Sequence, residues 1–214
     1  MGGKTMESLS ILSAGSFQDM PSRDTVLGWL GCAPDAPCHA VFSGAYNTAV
    51  SRLRNCMQPC AVLVRGDPRS LTVFLSLGPE PEKTTGALFA AGEYILGSVM
   101  DTLCDGMLFQ MDRTIAGILE KKLEDEHRYL SAREDPGESF PLSEQVQAIQ
   151  SVRTVLPYVS ISGHGILTPV KSMLIRVRLS ETPCAISSLH DCSMCTQEGC
   201  VYRDTQPHVP SGKH

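Results

Sequence analysis

Three thiols stand close together near the C-terminus: Cys192, Cys195 and Cys200 are separated by two and four residues within the polar stretch 191–203. That spacing lets several sulfurs converge on one metal centre. Three ligands leave a tetrahedral site one short. Cys184 lies eight residues upstream of Cys192 and His190 only two, so a fourth ligand is available without a long excursion of the chain. Cys184 is the first choice and His190 the second. Zinc held by four cysteines, zinc held by three cysteines and a histidine, and a 4Fe-4S cluster all fit this spacing. Unrelated surface thiols are the competing reading, and it ranks lower because thiols are seldom crowded in this way on an exposed tail.

The chain that carries this segment has 214 residues, enough for one substantial core or two small ones. Nine cysteines are many for that length, and an odd number fits poorly with a complete disulfide framework. Metal ligation explains some of them; others are read as small buried hydrophobes. A net charge of -5 and a pI near 5.7 argue against nucleic-acid binding, because no basic surplus exists to neutralise phosphates. Small molecules or proteins are the expected partners. No apolar run reaches the ~20 residues of a membrane span, and the N-terminus lacks a signal pattern, so a cytoplasmic location without membrane contact is expected. Nucleophilic catalysis finds little support. His39 beside Cys38 and His164 between two glycines lack a partner that would orient them as bases.

The elements that must position the thiols follow from periodicity. Residues 1–22 read as a flexible leader or an edge segment, and 23–59 as a helical N-terminal segment with helices at 23–30 and 41–57 around a proline-containing loop. Residues 60–65 and 70–77 are apolar, β-branched runs and predict two strands joined tightly. A helix is expected from 84 or 85 to 103, with Gly92 and Gly97 allowing close approach of a neighbour. After a break at 104–106 a second helix is expected over 107–130, its charged end a solvated face. A loop at 131–141 and a helix at 142–156, with Ser143 as its N-cap, come next. Strand candidates lie at 158–162 and 172–179, the latter alternating with period two as a half-exposed strand does. The expected divisions are therefore a leader at 1–22, a helical segment at 23–59, an α+β core at 60–183, a cysteine-rich metal-binding segment at 184–203 and a disordered tail at 204–214.

Taken in order, Leu77-Gly78-Pro79-Glu80, the helix carrying Asp101, a Pro-Gly loop before Pro141-Leu142 and Gln145, and Thr168-Pro169-Val170-Lys171-Ser172-Met173 form a recognisable succession. It resembles the activation domain of vitamin-B12-dependent methionine synthase. Free-standing bacterial versions of that domain can end in three cysteines followed by a Tyr-Arg pair, here Cys192, Cys195, Cys200, Tyr202 and Arg203. The resemblance covers roughly residues 60–203.

It implies an α+β fold with a twisted antiparallel sheet flanked by helices, and S-adenosylmethionine bound in a shallow groove. It also implies a role in restoring an oxidised corrinoid, in which an electron reduces cob(II)alamin and methyl transfer from S-adenosylmethionine traps the product. The cobalamin would be carried by a corrinoid-dependent methyltransferase, and a separate protein could donate the electron. That need for an electron moves the metal segment toward an iron–sulfur cluster and away from zinc. Residue by residue, Asp101 matches the family's acidic position and would receive the ligand's amino group. Arg133, Pro136 and Gly137 match the ligand loop, with Arg133 paired to the ligand's carboxylate. Glu138 stands where the family has tyrosine, offering polar rather than aromatic contact. Lys171 and Ser172 match a Lys-Ser pair. The alternative is a docking module of the same fold that has lost the ligand site and keeps a structural metal.

Overall fold

Side chains alternate across a strand, so an apolar run without alternation can be a strand only if both faces of its sheet are covered. The computed structural model, which describes residues 8–12, 15, 17, 19–136, 140–183 and 199–203, meets that condition. In chain order its elements are β1 (Ser8–Leu12), α1 (Arg23–Trp29), α2 (His39–Cys56), β2 (Cys60–Asp67), β3 (Ser70–Ser76), α3 (Glu80–Ala90) and α4 (Tyr94–Glu124). There follow β4 (Tyr129–Glu134), α5 (Leu142–Val152), β5 (Ser160–Ile161), β6 (Leu167–Thr168) and β7 (Ser172–Ser180). Five strands make one antiparallel sheet in the order β1-β2-β3-β7-β4, and β5 with β6 forms a short separate hairpin. The expected α+β class with an antiparallel sheet flanked by helices is what the chain adopts.

Register explains the two cores. Leu63 lies opposite Val73, and Val73 opposite Ile175, which gives one apolar row; Val62, Phe74 and Leu174 give the matching row on the other face. The first row joins Leu53 of α2 and Met100, Leu103, Met107 and Met111 of α4. The second packs with Phe140, Val159 and the α5 residues Ile149 and Val152. Val26 of α1 and Ala49 of α2 belong to the larger core, so the N-terminal helices pack with the sheet rather than apart from it.

Two expected boundaries move. The helix break falls at Ala91–Glu93 rather than at 104–106, and α4 then runs 31 residues without interruption. Gly92, at φ +78°, makes the stop: its N–H bonds to the Phe89 carbonyl and that of Glu93 to Leu88, the paired bonds of a Schellman ending. Gly106, expected to break the helix, instead makes room. A Cβ there would fall 2.5 Å from Pro21 Cγ and 2.6 Å from Trp29 Cζ3, so the glycine lets α1 and the chain before it lie directly on α4.

The second change concerns residues 125–134. The expected helix ends at Glu124, the chain reverses past His127 at φ +52°, and Tyr129–Glu134 becomes the edge strand β4 instead of helix end and loop. Its apolar content is only Leu130 in the core, which is why periodicity did not reveal it. Strand β7, expected to be half-exposed, has its polar side covered by charge. Arg176 pairs with Glu134 and with Glu144 and lies over the Phe140 ring at 4.4 Å, while Arg178 reaches Glu134 at 2.7 Å. Burial by itself raises the Glu134 pKa, but the two arginines outweigh it and hold the carboxyl below its usual range. At the start of α5, Pro141 occupies the cap position and Ser143 lies inside the helix. Among the described residues no helix is long and apolar enough to cross a membrane.

Replacing Gly106 by alanine is expected to destabilise the fold by about 1–3 kcal/mol, because both clashing groups are held in packed positions. Gly97→Ala, whose Cβ meets the edge of the Phe89 ring at 2.9 Å, is expected to lose less, since that side chain can turn away. Urea unfolding followed by the fluorescence of Trp29, the single tryptophan, measures both.

Candidate functional site

Asp101, Asp105 and Asp112 are four and eleven residues apart, which at 3.6 residues per turn keeps them within about 40° of one another on the helix surface. Three carboxylates thus line one face of α4 over roughly 16 Å. That face looks toward the β7–β4 side of the sheet. Each carboxylate is met by a group from a different part of the chain.

At one end, Lys171, just before β7, places its ammonium 2.8 Å from Asp101 Oδ1 and 2.7 Å from Asp105 Oδ1. The lysine is buried, whereas the Asp101 side chain keeps 46 % of its surface open to solvent. Burial alone pushes the Lys171 pKa down; the hydrogen bonds and charges of Asp101 and Asp105 more than reverse this, and the ammonium titrates above its ordinary value. Ser172, the next residue, shares a 2.9 Å hydrogen bond with the Ser76 hydroxyl across the β3–β7 pair. Its observed work is to tie two strands together.

Asp105 has a second partner. The Tyr202 hydroxyl donates to Oδ2 at 2.8 Å, and its ring packs against Trp29 at 5.2 Å and Phe109 at 5.3 Å. Burial, then the hydrogen bond to Asp105, raises the phenol pKa, so Tyr202 remains a donor across the physiological range. A cleft of ≈ 480 Å³ opens beside this aromatic group, walled by α1, α4 and Val201–Arg203. The Tyr-Arg ending therefore docks on the acidic helix, and it brings half-buried Cys200 within two residues of the contact.

At the far end, Arg133 of β4 donates to Asp112 Oδ2 at 2.7 Å and grips Asp135 with Nε and Nη2 at 2.8–3.0 Å. Asp112 is fully buried. Desolvation works against the guanidinium charge, but Asp135 and Asp112 outweigh it and the pKa rises. Nη2 also lies 3.8 Å from Met173 Sδ. Pro136 makes an isolated bridge with Phe140.

Of the residues singled out from sequence, the structure brings Asp101 and Lys171 together at one end and Arg133 with Pro136 at the other, while the Ser172 hydroxyl turns to Ser76 instead. Gly137 and Glu138 lie outside the described residues, as do His190 and three of the four expected metal ligands, Cys184, Cys192 and Cys195. Among the described residues no group of three potential metal ligands occurs. Sequence reasoning missed Asp105, Asp112 and Asp135. The i, i+4, i+11 spacing was there to be read, but a helix break assumed at 104–106 destroyed the phase that links Asp101 to Asp112.

No family model matches the sequence, and neither does any curated protein. Solved structures do match in fold. One, the crystal structure of the MetH reactivation domain bound to AdoHcy, superposes with a TM-score of 0.53 at 10% identity, covering 87% of this chain and 82% of that one. The chain thus has an α+β architecture resembling the MetH reactivation domain, a likeness that at this identity concerns the fold.

Replacing Lys171 with methionine leaves Asp101 and Asp105 facing each other without their shared counter-charge. The expected loss is about 1–3 kcal/mol at neutral pH, kept below that of a fully buried pair by the exposure of Asp101. Because the folded pKa of Lys171 is raised, its contribution is complete below the unfolded value of ~10.4 and fades as pH climbs through the folded one. Urea denaturation of both proteins at pH values on either side of that range should show the gap between them closing at the alkaline end.

Proposed function

We propose that this chain activates a corrinoid-dependent methyltransferase, methionine synthase being the simplest client, and that it binds S-adenosylmethionine along the acidic face of α4 and the adjoining β7 and β4. The observation that carries the reading is the likeness in fold to the MetH reactivation domain, whose structure contains AdoHcy, over 87% of this chain. Solvent-open Asp101 suits a cationic amine, and the planar fork of Arg133 suits a carboxylate or a pair of hydroxyls. Asp101 and the Asp112 partner of Arg133 stand about three helical turns apart. The amine and carboxylate on one carbon of an amino acid cannot span that distance, so Asp101 and Arg133 would hold different parts of one extended ligand. Pro136, Gly137 and Glu138 would border it, Lys171 would fix the position of Asp101, and Ser172 would hold the start of β7 that carries Lys171 into place.

When bound, the cofactor would supply a methyl group to cobalamin carried by the partner methyltransferase. The residues of this chain would hold and orient it and keep the sulfonium accessible at the surface. In the same proposal Cys184, Cys192, Cys195 and Cys200 hold a 4Fe-4S cluster or zinc; a cluster would accept an electron from a donor protein.

A second reading is a docking module of the same fold with a structural metal. It is favoured by the internal pairing of the candidate groups: Arg133 is engaged by Asp112 and Asp135, and Asp101 by Lys171. Calorimetry with AdoHcy and S-adenosylmethionine separates the two. Binding by the wild type, weakened about tenfold in Asp101→Asn through loss of one charge-assisted hydrogen bond, supports activation. No heat with either compound leaves the docking module.

The metal assignment is tested by purification without oxygen, metal analysis and an absorption spectrum. Iron with thiolate-to-iron absorption is expected. Colourless, zinc-loaded protein would remove the electron-transfer role. Cys195→Ser is expected to release the metal and leave the core folded, and full metal content in that variant would refute the ligand set.

A further inference from the structure

The loop between α1 and α2 carries two cysteines that the proposed function does not use. Cys38 Sγ lies 3.0 Å from Cys32 Sγ, and the Cys32 thiol in turn points to the Leu30 carbonyl at 3.8 Å. Both are free thiols. A disulfide has its sulfurs ~2.05 Å apart, so closure needs an approach of roughly 1 Å. The chain around them is built to hold that geometry. Cys32 N–H is fixed to the Leu27 carbonyl at 2.9 Å, where α1 ends. Two successive β-turns follow, Ala33-Pro34-Asp35-Ala36 and Ala36-Pro37-Cys38-His39. Each has proline at its second position and is closed by a 2.9 Å bond from the fourth N–H to the first carbonyl. Proline presets φ at these positions, so little freedom is left to keep the sulfurs apart. Cys38 is the N-cap of the 18-residue helix α2, which anchors the other side.

The two sulfurs differ in access. Cys32 is buried at 4% exposure, and Cys38 is partly open to solvent. The hydrogen bond with Cys38, then burial, raises the Cys32 pKa, which suits a thiol that waits for its neighbour to react first.

We propose that Cys32 and Cys38 form a dithiol–disulfide exchange site that reacts with an external organic disulfide. The Cys38 thiolate attacks one sulfur of that disulfide, its S–S bond breaks, and one thiolate leaves while Cys38 enters a mixed disulfide. Cys32, after losing its proton, attacks Cys38 Sγ and expels the second thiolate. Two electrons pass from the cysteine pair to the disulfide, and the two cysteine protons end on the two released thiols. The ring that closes contains few residues, so it removes little chain entropy, and the bond serves as a reversible couple rather than a structural staple. The remaining described thiols contrast with this pair. Burial pushes Cys104 up to about 12 and raises Cys60 and Cys56, and none of these, nor Cys200, has a sulfur–sulfur contact like that of Cys32 and Cys38 among the described residues.

The test uses the full chain, equilibrated without oxygen against mixtures of reduced and oxidised glutathione, quenched with acid, alkylated and digested with trypsin. Peptide 24–52 contains both cysteines and no others. It should lose two hydrogens along a two-electron titration and regain them when reduced glutathione is restored, while Cys60 and Cys104 stay alkylatable. In Cys32→Ser, Cys38 should accumulate as the glutathione mixed disulfide; in Cys38→Ser, Cys32 should remain a free thiol. Two alkylated thiols in the peptide at every ratio would overturn the proposal. So would oxidation that reduced glutathione does not reverse, or a loss of bound metal in either serine variant, which would make the pair ligands instead. None of these outcomes depends on whether S-adenosylmethionine binds.

Discussion

The acidic face of α4 is what the remaining architecture must satisfy. A carboxylate turned toward a sheet loses water, and an uncompensated one costs several kcal/mol, a large share of the net stability of any domain. Asp112 has no exposed surface and cannot rely on solvent, and the Asp105 side chain keeps only 27 % of its own. The counter-charges come from Lys171 before β7 and Arg133 on β4, and the neutral Tyr202 hydroxyl near the C-terminus adds a hydrogen bond to Asp105. Residues separated by as many as 97 positions must therefore be in place together before the helix can lie on the sheet. The same need fixes which side of the sheet the pair β7 and β4 presents to α4. It also explains why a strand as polar as β4 joins the sheet at all: Arg133 points to the helix, and Glu134 meets the arginines of β7.

This pairing sets the terms on which any ligand enters. Asp101 is the acidic residue of the three with the most solvent exposure, and Asp135 is the exposed partner of Arg133. A cationic group arriving at Asp101 competes with Lys171, which can fall back on Asp105. An anionic or hydroxyl group arriving at Arg133 competes with Asp135, while Asp112 keeps the guanidinium oriented. Each exchange replaces one satisfied contact with another, so affinity would rest on small differences and on preorganisation more than on free charge. The buried partners, Lys171 and Asp112, thus hold the geometry while the exposed ones are exchangeable.

What could be read from the sequence was the part governed by local pattern. The apolar runs at 60–65 and 70–77 fall on β2 and β3, and the alternation at 172–179 falls on β7, because burial of Leu63, Val73 and Ile175 leaves a direct mark on composition. Asp101 stood out through its match to the family's acidic position, since a carboxylate on an apolar helix is by itself most simply a solvent-facing residue. What escaped was set by tertiary partners. Gly106 looks like a helix breaker until Trp29 is placed over it, and Tyr129–Glu134 looks like charged helix and loop until Arg176 and Arg178 are beside it. Asp105 and Asp112 were hidden by the same misplaced break. Charge pairs between distant segments leave no periodic signal, so the sequence offered Asp101, Lys171 and Arg133 one by one, through the resemblance, and offered neither their pairing nor the partners Asp105, Asp112 and Asp135.

Tyr202 is wedged between Trp29 of α1 and Phe109 of α4, with its hydroxyl on Asp105. Cys200 is two residues before it, and Cys32 is three residues after Trp29. Cys200 is linked through two residues of backbone to Tyr202, whose hydrogen bond reaches Asp105, and Asp105 is joined through Lys171 to Asp101 by contacts of 2.7–2.8 Å. A change at the Cys32–Cys38 pair has an equally short path to Trp29. A side chain at Gly106 would hold α1 off α4, and without one Trp29 lies directly on the helix. The segment around Cys200, the end of α1 and the acidic face of α4 therefore meet at one packed contact, the Tyr202 side chain.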